Sequence, residues 1–268
     1  MNQPSRLVLL GHPVTHSLSP RIQNAALRTA GIQLEYVAVD VAPPQLRAML
    51  RGLRAEGAAG NITIPHKQAA FSICDHVTHV AQRAGAVNTF WVQDGALIGD
   101  NTDVAGFEFA AQELLDSAQA APPERIALIG TGGAASAVAA AITDWEGADL
   151  VIWGRTPARA SALAQRFACA RAEETLLAAV KGADLVINAT PMGMLDDALP
   201  VPISALPRKC PVFDLVYRRG ETPWVRAARD AGHPASDGLP MLVEQAARSF
   251  RRWLGVEPNR EVMWSALS

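Results

Sequence analysis

Two short tracts place an ionisable side chain where a predicted strand gives way to a helix. The tract from Asn61 to Lys67 reads NITIPHK, and the tract from Gly99 to Asp103 reads GDNTD. A lysine and a carboxylate held side by side can pass a proton to and from an alcohol. Each also has a structural explanation, since Lys67 could be solvated and Asp103 could cap the next helix. The sharper prediction is that Asp103 is the partner of Lys67.

Polar side chains that could surround this pair lie nearby in the chain. In a strand, alternate residues face opposite sides, so Ile62 and Ile64 are predicted to face a core, and Asn61 and Thr63 a ligand. Near the N-terminus, Pro20 at a first helical position predicts Ser19 as the N-cap. With Ser17, two hydroxyls would then stand at a helix N-terminus, which favours an anion such as a carboxylate.

A glycine-rich loop supplies the second half of a redox site. The strand IALIG leads into Gly130-Thr-Gly-Gly-Ala-Ala135, and an alanine-rich helix follows. This G-x-G-x-x-A pattern between strand and helix is typical of dinucleotide binding, with the pyrophosphate at the helix N-terminus. The next strand ends in GRTPAR at residues 154–159, with two arginines where NAD-binding proteins usually carry an acid. Arginine suits a ribose 2′-phosphate, so NADP is predicted over NAD.

Composition narrows the class of protein. The chain has 268 residues, 49% hydrophobic and 19% charged, with a net charge of −2. Nothing in this balance favours a nucleic-acid or membrane partner, and no apolar stretch approaches the ~18 residues that a membrane helix needs. The three cysteines are far apart, which predicts a reduced, cytoplasmic protein. His76 and His79 have no third ligand in view, so no metal is predicted.

Strand and helix patterns alternate along the chain, which predicts an α/β fold with mainly parallel sheets. Asp94-Gly95 between two strand patterns predicts one antiparallel hairpin. The stretch at 118–124, AQAAPPE, resembles a linker or a domain edge, and the alternation restarts at Arg125. Predicted strands are 6–11, 34–39, 61–64, 89–92, 96–98, 125–130, 149–153, 184–188 and 212–215; predicted helices are 20–30, 46–56, 157–167 and 173–180, with others after Pro65, from about Ala134 and from Leu239.

An ordered set of tracts resembles the shikimate dehydrogenase family over nearly the whole chain. The tracts are GHPVTHSLSP at 11–20, GNITIPHK at 60–67, GAVNT at 85–89, GDNTD at 99–103, GTGGAA at 130–135, GRTPAR at 154–159, NATPMG at 188–193, DLVY at 214–217 and DGLPMLVEQAA at 237–247. The resemblance implies a substrate-binding catalytic domain at 1–103, a Rossmann NADP-binding domain at 104–237 and C-terminal helices at 238–268 that return to the first domain. Gly154 departs from the family, which often has asparagine there, and His66 stands where a bulky apolar residue is common.

The resemblance also implies a role for each matching residue. Lys67 would be the acid/base, with Asp103 orienting it and the adjacent hydroxyl. Substrate binding would involve Ser17, Ser19 and Tyr217 at the carboxylate, and Asn61, Thr63, Asn88, Asp103 and Gln245 at the ring hydroxyls. NADP(H) binding would involve Gly130, Thr131, Gly132, Gly133, Ala134, Arg155, Thr156, Arg159, Thr190 and Met192, with Gly238 and Met241 bordering the nicotinamide.

The implied activity is reversible NADPH-dependent reduction of 3-dehydroshikimate to shikimate, in chorismate and aromatic amino acid biosynthesis. An ammonium can donate the proton, and the reverse reaction needs the neutral amine, so oxidation should be faster at alkaline pH. One alternative is a quinate or quinate/shikimate dehydrogenase that uses NAD. Others are a non-catalytic metabolite sensor and a folate-linked dehydrogenase, against which the serine pair and GDNTD argue. The family contains both monomers and dimers.

Overall fold

The computed structural model describes residues 3–268, which form two compact units. One unit runs to Gly106 and resumes at Leu242–Ser268, and the other is Phe107–Met241. Each unit contains a six-stranded sheet with helices, which confirms the predicted α/β class. The domain boundaries expected after residues 103 and 237, and the functions attached to them, stay predictions.

The helices and strands alternate through both units, with two single 3₁₀ turns at Pro43–Gln45 and Ile203–Ala205. The strands in the described residues are β1 (Leu7–Gly11), β2 (Tyr36–Asp40), β3 (Ala59–Ile62), β4 (His76–Val77), β5 (Thr89–Gln93), β6 (Ala96–Asp100), β7 (Arg125–Ile129), β8 (Asp149–Trp153), β9 (Ala170–Ala172), β10 (Leu185–Asn188), β11 (Val212–Asp214) and β12 (Ala235–Ser236). The helices there are α1 (Ser19–Thr29), α2 (Leu46–Glu56), α3 (Lys67–Phe71), α4 (His79–Ala84), α5 (Thr102–Ser117), α6 (Gly133–Ile142), α7 (Pro157–Ala164), α8 (Leu176–Val180), α9 (Pro223–Asp230), α10 (Leu239–Leu254) and α11 (Arg260–Ser265).

The sheet of the first unit has the order β2-β1-β3-β5-β6-β4. Strand β1 pairs in parallel with β2 and β3, whereas β5 is antiparallel to both of its neighbours. The antiparallel excursion is the predicted hairpin, whose turn residues Asp94 and Gly95 have φ values of 52° and 75°. Asparagine, aspartate and glycine tolerate this left-handed backbone, so the turn sequence sets the register of β5 on β6.

One core of the first unit lies between its sheet and α2. Leu46, Leu50 and Leu53 recur at helical spacing on the buried face of α2, and they join an apolar cluster with residues of β1 and β3. Gly57 follows in the left-handed conformation and ends the helix, as the sequence predicts.

The sheet of the second unit is entirely parallel, with the order β12-β11-β10-β7-β8-β9. Numbered from β7, this is the 3-2-1-4-5-6 order of a Rossmann fold read from the other edge. The strand order reverses between β7 and β10. In open parallel sheets, ligands bind beside the carboxyl ends of the strands at such a switch point.

Three element predictions were wrong in detail. Strand β3 ends at Ile62, and Ile64 lies beyond it with 50% of its surface exposed, so Ile64 does not face the core. Helix α8 begins at Leu176, because the hydroxyl of Thr175 caps it by accepting from the N–H of Ala178. The stretch at 118–124 connects α5 to β7 inside the second unit and does not link the two units.

Within residues 3–268, no helix has the length and apolar character needed to cross a membrane.

Candidate active site

Lys67 and Asp103 form an ion pair inside the first unit. The Nζ atom of Lys67 lies 2.7 Å from Oδ2 of Asp103, and the side chains are only 13% and 6% exposed. Lys67 is the first residue of α3 and Asp103 is the second of α5, so strand-to-helix transitions position both groups. The pair therefore offers one ammonium, with two further N–H donors, to a bound hydroxyl.

The carboxylate of Asp103 is free for this pairing because another residue caps α5. Asn101 precedes the helix, and its Oδ1 accepts from the N–H of Asp103 at 3.1 Å. The N–H of Thr102 donates to Oδ1 of Asn88 at 2.7 Å. Two amide side chains thus satisfy the first N–H groups of the helix, and the capping explanation for Asp103 is wrong.

Asn88 holds the other oxygen of Asp103. Its Nδ2 donates to Oδ1 of Asp103 at 2.8 Å and reaches Oε1 of Gln245 at 3.3 Å. Gln245 comes from α10, and its own amide donates to the carbonyl of Leu242. The structure therefore gathers Lys67, Asn88, Asp103 and Gln245 into one polar cluster. The residues alone predicted the pairing of Lys67 with Asp103, and the resemblance implied the other two.

Asn61, which the resemblance implies as a substrate ligand, makes three hydrogen bonds inside the unit. Its Oδ1 accepts from the hydroxyl of Tyr36 at 2.8 Å, and its Nδ2 donates to the carbonyl of Asn88 and to Oγ of Ser249. Both amide hydrogens are used internally, and the residue is 5% exposed. Asn61 therefore supports the site from beneath, and it keeps a second lone pair on Oδ1 for a ligand.

Thr63 lies just beyond β3, in the same tract as Asn61. It is half-buried, and its hydroxyl makes no hydrogen bond within the described part of the chain. Its N–H donates to the carbonyl of Leu10 at 2.8 Å, which fixes its backbone beside β1. Thr63 therefore keeps a hydroxyl available to a ligand.

Ser17 and Ser19 meet at the start of α1, but not in the predicted arrangement. The helix begins at Ser19, with Leu18 in the N-cap position, so Ser19 is not the cap. Oγ of Ser17 instead accepts from the N–H of Ser19 at 3.2 Å. Pro20, the second helical residue, has no N–H that needs a partner, and Leu18 provides no side-chain cap. Both hydroxyls remain at the helix N-terminus, where an anion is favoured.

His66 is a buried anchor beside Lys67. The ring is almost fully buried, and Nε2 lies 2.7 Å from the carbonyl oxygen of Val41. The N–H of Val87 donates to the carbonyl of Lys67 at 2.9 Å. Neighbouring segments therefore hold the backbone on both sides of the Lys67 Cα atom.

The glycine loop of the second unit follows β7, at the switch point of the sheet. A Cβ atom on Gly130 would lie 2.8 Å from the carbonyl oxygen of Ala189, and its φ of 127° also requires glycine. Gly132 is the N-cap of α6 and has open space beside it, and Gly133 and Ala134 form the first turn. The loop thus brings bare backbone to a helix N-terminus, which fits the pyrophosphate of a dinucleotide.

The two arginines after β8 are free to bind a phosphate. Arg155 and Arg159 are exposed, as is Thr156, and neither arginine forms an ion pair with any described residue. The presence of glycine at position 154 has a structural explanation, because a Cβ atom there would lie 2.6 Å from the methyl group of Thr131. The glycine therefore accommodates the threonine of the preceding loop.

A buried carboxylate orders the segment after β10. The hydroxyl and N–H of Thr190 donate to Oδ1 of Asn188, whose Nδ2 donates to Asp214 and lies 3.5 Å from the carbonyl of Met192. Asp214 also accepts from Thr222. Burial raises the pKa of Asp214 to about 6, against the lowering effect of these hydrogen bonds. Asn188 and Asp214 thus position Thr190 and Met192, which were predicted to contact the cofactor.

The other predicted residues also lie in the second unit. A Cβ atom on Gly238 would meet the carbonyl oxygen of Leu215 at 2.3 Å, and the Gly238 N–H donates to the carbonyl of Val216. Met241 is buried, and Tyr217 is half-buried. Glycine at position 238 thus allows this segment to pack closely against Leu215 and Val216, which directly follow β11.

The sequence analysis missed three residues that support the ion pair: Tyr36, Thr102 and Ser249. Thr102 and Ser249 join Asn61 and Asn88 in buried hydrogen bonds. One signal was available, because Ser249 stands four residues after Gln245 and therefore shares its face of α10.

Among the described residues, no group of three or more His, Cys, Asp or Glu side chains is placed to hold a metal ion.

Family models match most of the chain in three consecutive segments. Residues 9–90 match the shikimate dehydrogenase substrate binding domain, and residues 110–193 match shikimate / quinate 5-dehydrogenase. Residues 238–267 match the shikimate 5′-dehydrogenase C-terminal domain. The first match contains Lys67 and Asn88, and the second contains the glycine loop and both arginines.

Full-length relatives show the same similarity. The chain is 43% identical to the shikimate dehydrogenase (NADP(+)) of Methylocella silvestris, over 95% of this chain and 92% of the relative. It is also 43% identical to that of Rubrobacter xylanophilus, over 99% and 96%. Among solved structures, shikimate 5-dehydrogenase of Thermus thermophilus in complex with NADP(H) and shikimate is 39% identical, with a TM-score of 0.87 over 98% of both chains.

Proposed function

The chain belongs to the shikimate dehydrogenase family, and we propose that it catalyses the reversible NADPH-dependent reduction of 3-dehydroshikimate to shikimate. This is an alcohol oxidoreductase step in chorismate and aromatic amino acid biosynthesis. The observation that carries the proposal is the buried 2.7 Å pair of Lys67 and Asp103 in the first unit. The curated relatives named above are all NADP(+) shikimate dehydrogenases, which supports the substrate and the cofactor.

Lys67 holds and moves the proton in this proposal. Its ammonium donates to the oxygen at C3 as negative charge develops there, and in oxidation its neutral amine removes the proton. Asp103 accepts one Nζ hydrogen and leaves the others for the substrate. Asn88 fixes the second carboxylate oxygen, so the pair is oriented before substrate arrives.

The substrate contacts are carried over from the family resemblance, and several of these polar groups also hold one another. Ser17 and Ser19 at the N-terminus of α1 would bind the carboxylate together with Tyr217, and Thr63, Asn88, Asp103 and Gln245 would bind ring hydroxyls. The hydroxyl of Thr63 has no other partner among the described residues, which supports its assignment. Asn61, whose amide hydrogens are used internally, would accept from a ring hydroxyl through the second lone pair of Oδ1.

NADP(H), when bound, supplies the hydride for C3. The residues that would hold it are those of the glycine loop, Arg155, Thr156 and Arg159 for the 2′-phosphate, and Thr190 and Met192. Gly238 and Met241 would border the nicotinamide. The unshared guanidinium groups of Arg155 and Arg159 support this assignment, since two free cations suit a phosphate better than a 2′-hydroxyl.

We also propose a cytoplasmic enzyme that acts on a small molecule as a monomer or homodimer. All three cysteines are free thiols, which suits a reducing compartment. Burial raises the pKa of both Cys74 and Cys210 to about 12, with help from Asp75 and Asp184 respectively. Neither thiol is therefore activated as a nucleophile. The predicted domains at 1–103, 104–237 and 238–268 are retained as the functional division.

The experiment is product analysis with purified protein, 3-dehydroshikimate and NADPH. We expect shikimate by NMR, formed in equal amount to the NADPH consumed. Parallel reactions would contain quinate or shikimate with NADP or NAD, in the oxidative direction. Absence of shikimate formation would reject the proposal, and faster oxidation of quinate with NAD would assign the chain to the quinate-specific activity instead.

A further inference from the structure

A chain of buried hydrogen bonds leads from the edge strand β2 to the Lys67–Asp103 pair. The hydroxyl of Tyr36 donates to Asn61 at 2.8 Å, and Asn61 donates to Ser249 at 2.9 Å. The hydroxyls of Ser249 and Thr102 lie 3.1 Å apart. From there Asn88 contacts both Thr102, at 3.0 Å, and Asp103, at 2.8 Å.

We propose that Ser249 is a positioning residue for the acid–base pair, acting through Thr102 and Asn88 and held in place by Asn61 and Tyr36. This inference rests on the proposed function. Within residues 3–268, Ser249 makes no hydrogen bond with Lys67, and its hydroxyl is engaged by Asn61 and Thr102. Ser249 is fully buried, and Asn61 has both amide hydrogens engaged.

The geometry explains why Ser249 matters for Asp103. Thr102 immediately precedes Asp103, and Thr102 is held twice by Asn88, through its N–H and through its hydroxyl. Ser249 is the contact that holds the Thr102 hydroxyl from the opposite side, where α10 packs. Removing the Ser249 hydroxyl frees Thr102 to rotate and leaves Asn88 able to shift its contact with the carboxylate.

Ser249 belongs to a polar stripe along α10. Gln245, Ser249 and Trp253 are four residues apart, so they share one face of the helix. Gln245 meets Asn88, Ser249 meets Asn61 and Thr102, and Nε1 of Trp253 donates to Thr89 at 3.0 Å. The contacts of Gln245 and Ser249 lead to Asp103 through Asn88 and Thr102. The contact of Trp253 with Thr89 does not, so this pair provides an internal control.

The control variant is Thr89→Val. Both Thr89→Val and Ser249→Ala remove a buried hydroxyl that forms a hydrogen bond between α10 and the sheet. Valine has nearly the same side-chain volume as threonine. Thr89 donates only to the carbonyl of Gly60 and accepts from Trp253. A merely structural role for the stripe predicts the same loss of melting temperature and the same catalytic rate in both variants.

The measurement is the single-turnover rate of NADPH formation with saturating shikimate and NADP, at a temperature where each variant is folded. We expect Ser249→Ala to lower this rate by roughly tenfold while KM for shikimate stays within about twofold, because orientation of a catalytic group affects the reacting state. Thr89→Val should keep the wild-type rate. An unchanged rate in Ser249→Ala would overturn the proposal.

Tyr36→Phe provides a second variant if Ser249→Ala does not fold. It removes only the hydroxyl that fixes Oδ1 of Asn61 and keeps the ring stacked on Trp253. We expect a rate about threefold below the wild type, and a wild-type rate would overturn the proposal equally. Wild-type protein with no shikimate activity would instead reject the proposed function, so the two failures are distinguishable.

Discussion

The Lys67–Asp103 pair shows why a residue type can be predicted from sequence while its environment cannot. The tracts NITIPHK and GDNTD indicated both ionisable groups. Which residue caps α5 depends on amide contacts from Asn88 and Asn101, and these arise only in the folded unit. Because those amides satisfy the helix N-terminus, the carboxylate of Asp103 is left for the ammonium.

Arg155 is expected to read the 2′-phosphate of NADP. Replacing it with alanine removes an exposed guanidinium that makes no ion pair with a described residue, so the fold should tolerate the change. We expect KM for NADP to rise about tenfold, and KM for NAD to change much less, because only NADP carries the extra phosphate.

Steady-state titrations of both cofactors at saturating shikimate test this expectation. The exposed Arg208 of the same unit provides the control variant, Arg208→Ala, which should leave both KM values unchanged. Equal effects of Arg155→Ala on the two cofactors would show that Arg155 does not contact the 2′-phosphate.

At the scale of elements, the ends of strands and the starts of helices carry the predicted functional groups. Lys67 and Asp103 follow β3 and β6, and the glycine loop follows β7. Motif spacing predicted these transitions because glycine, proline and turn residues mark them locally. The exact end of β3 was missed, since the isoleucine alternation continues past the last paired residue.

The contacts of α10 could not be predicted in the same way. Its apolar periodicity predicts a helix from Leu239, but Ser249 meets Asn61 across 188 residues of sequence. Likewise, Asn61 and Thr63 look equivalent in a strand pattern. Only the fold shows that Asn61 is engaged by Tyr36, Asn88 and Ser249 while Thr63 is free.

The carboxylate at the end of β11 gives a pH dependence for the second unit. Burial raises the pKa of Asp214 to about 6 in the folded protein, above its usual value of 3.8. The folded state therefore binds this proton more tightly than the unfolded chain does. The stabilisation from the protonated group is present below about pH 4 and is lost as pH rises through 6, with a limit of roughly 3 kcal/mol.

Asp214→Asn isolates this effect, because the amide can keep contacts with Asn188, Val216 and Thr222. We expect Asp214→Asn to gain stability relative to the wild type as pH increases from 4.5 to 7.5, measured by urea unfolding. Asp230→Asn, on the exposed part of α9, reports the general effect of removing one carboxylate. A difference between wild type and Asp214→Asn that grows in favour of the wild type over this range would contradict the assignment.

At the scale of the molecule, the order of elements and motifs along the chain was the most informative property of the sequence. It predicted an α/β fold with mainly parallel sheets and one hairpin, and the resemblance implied a Rossmann domain; the two sheets have these features. Composition alone indicated only that the chain is nearly neutral and that nothing in its charge balance favours a nucleic-acid partner. The prediction of a linker or domain edge at 118–124 was wrong, because prolines occur in irregular connections of every kind. Here the connection lies inside one unit.

The central claim is that the intact chain transfers hydride through NADP(H) while Lys67 transfers the proton. Its most direct test is the single-turnover oxidation of NADPH by 3-dehydroshikimate, in wild-type protein and in Lys67→Ala. We predict that the variant reacts about 10²–10⁴-fold more slowly with nearly unchanged substrate affinity, while the exposed Lys181→Ala control matches the wild type. A near-normal rate in Lys67→Ala would contradict the account.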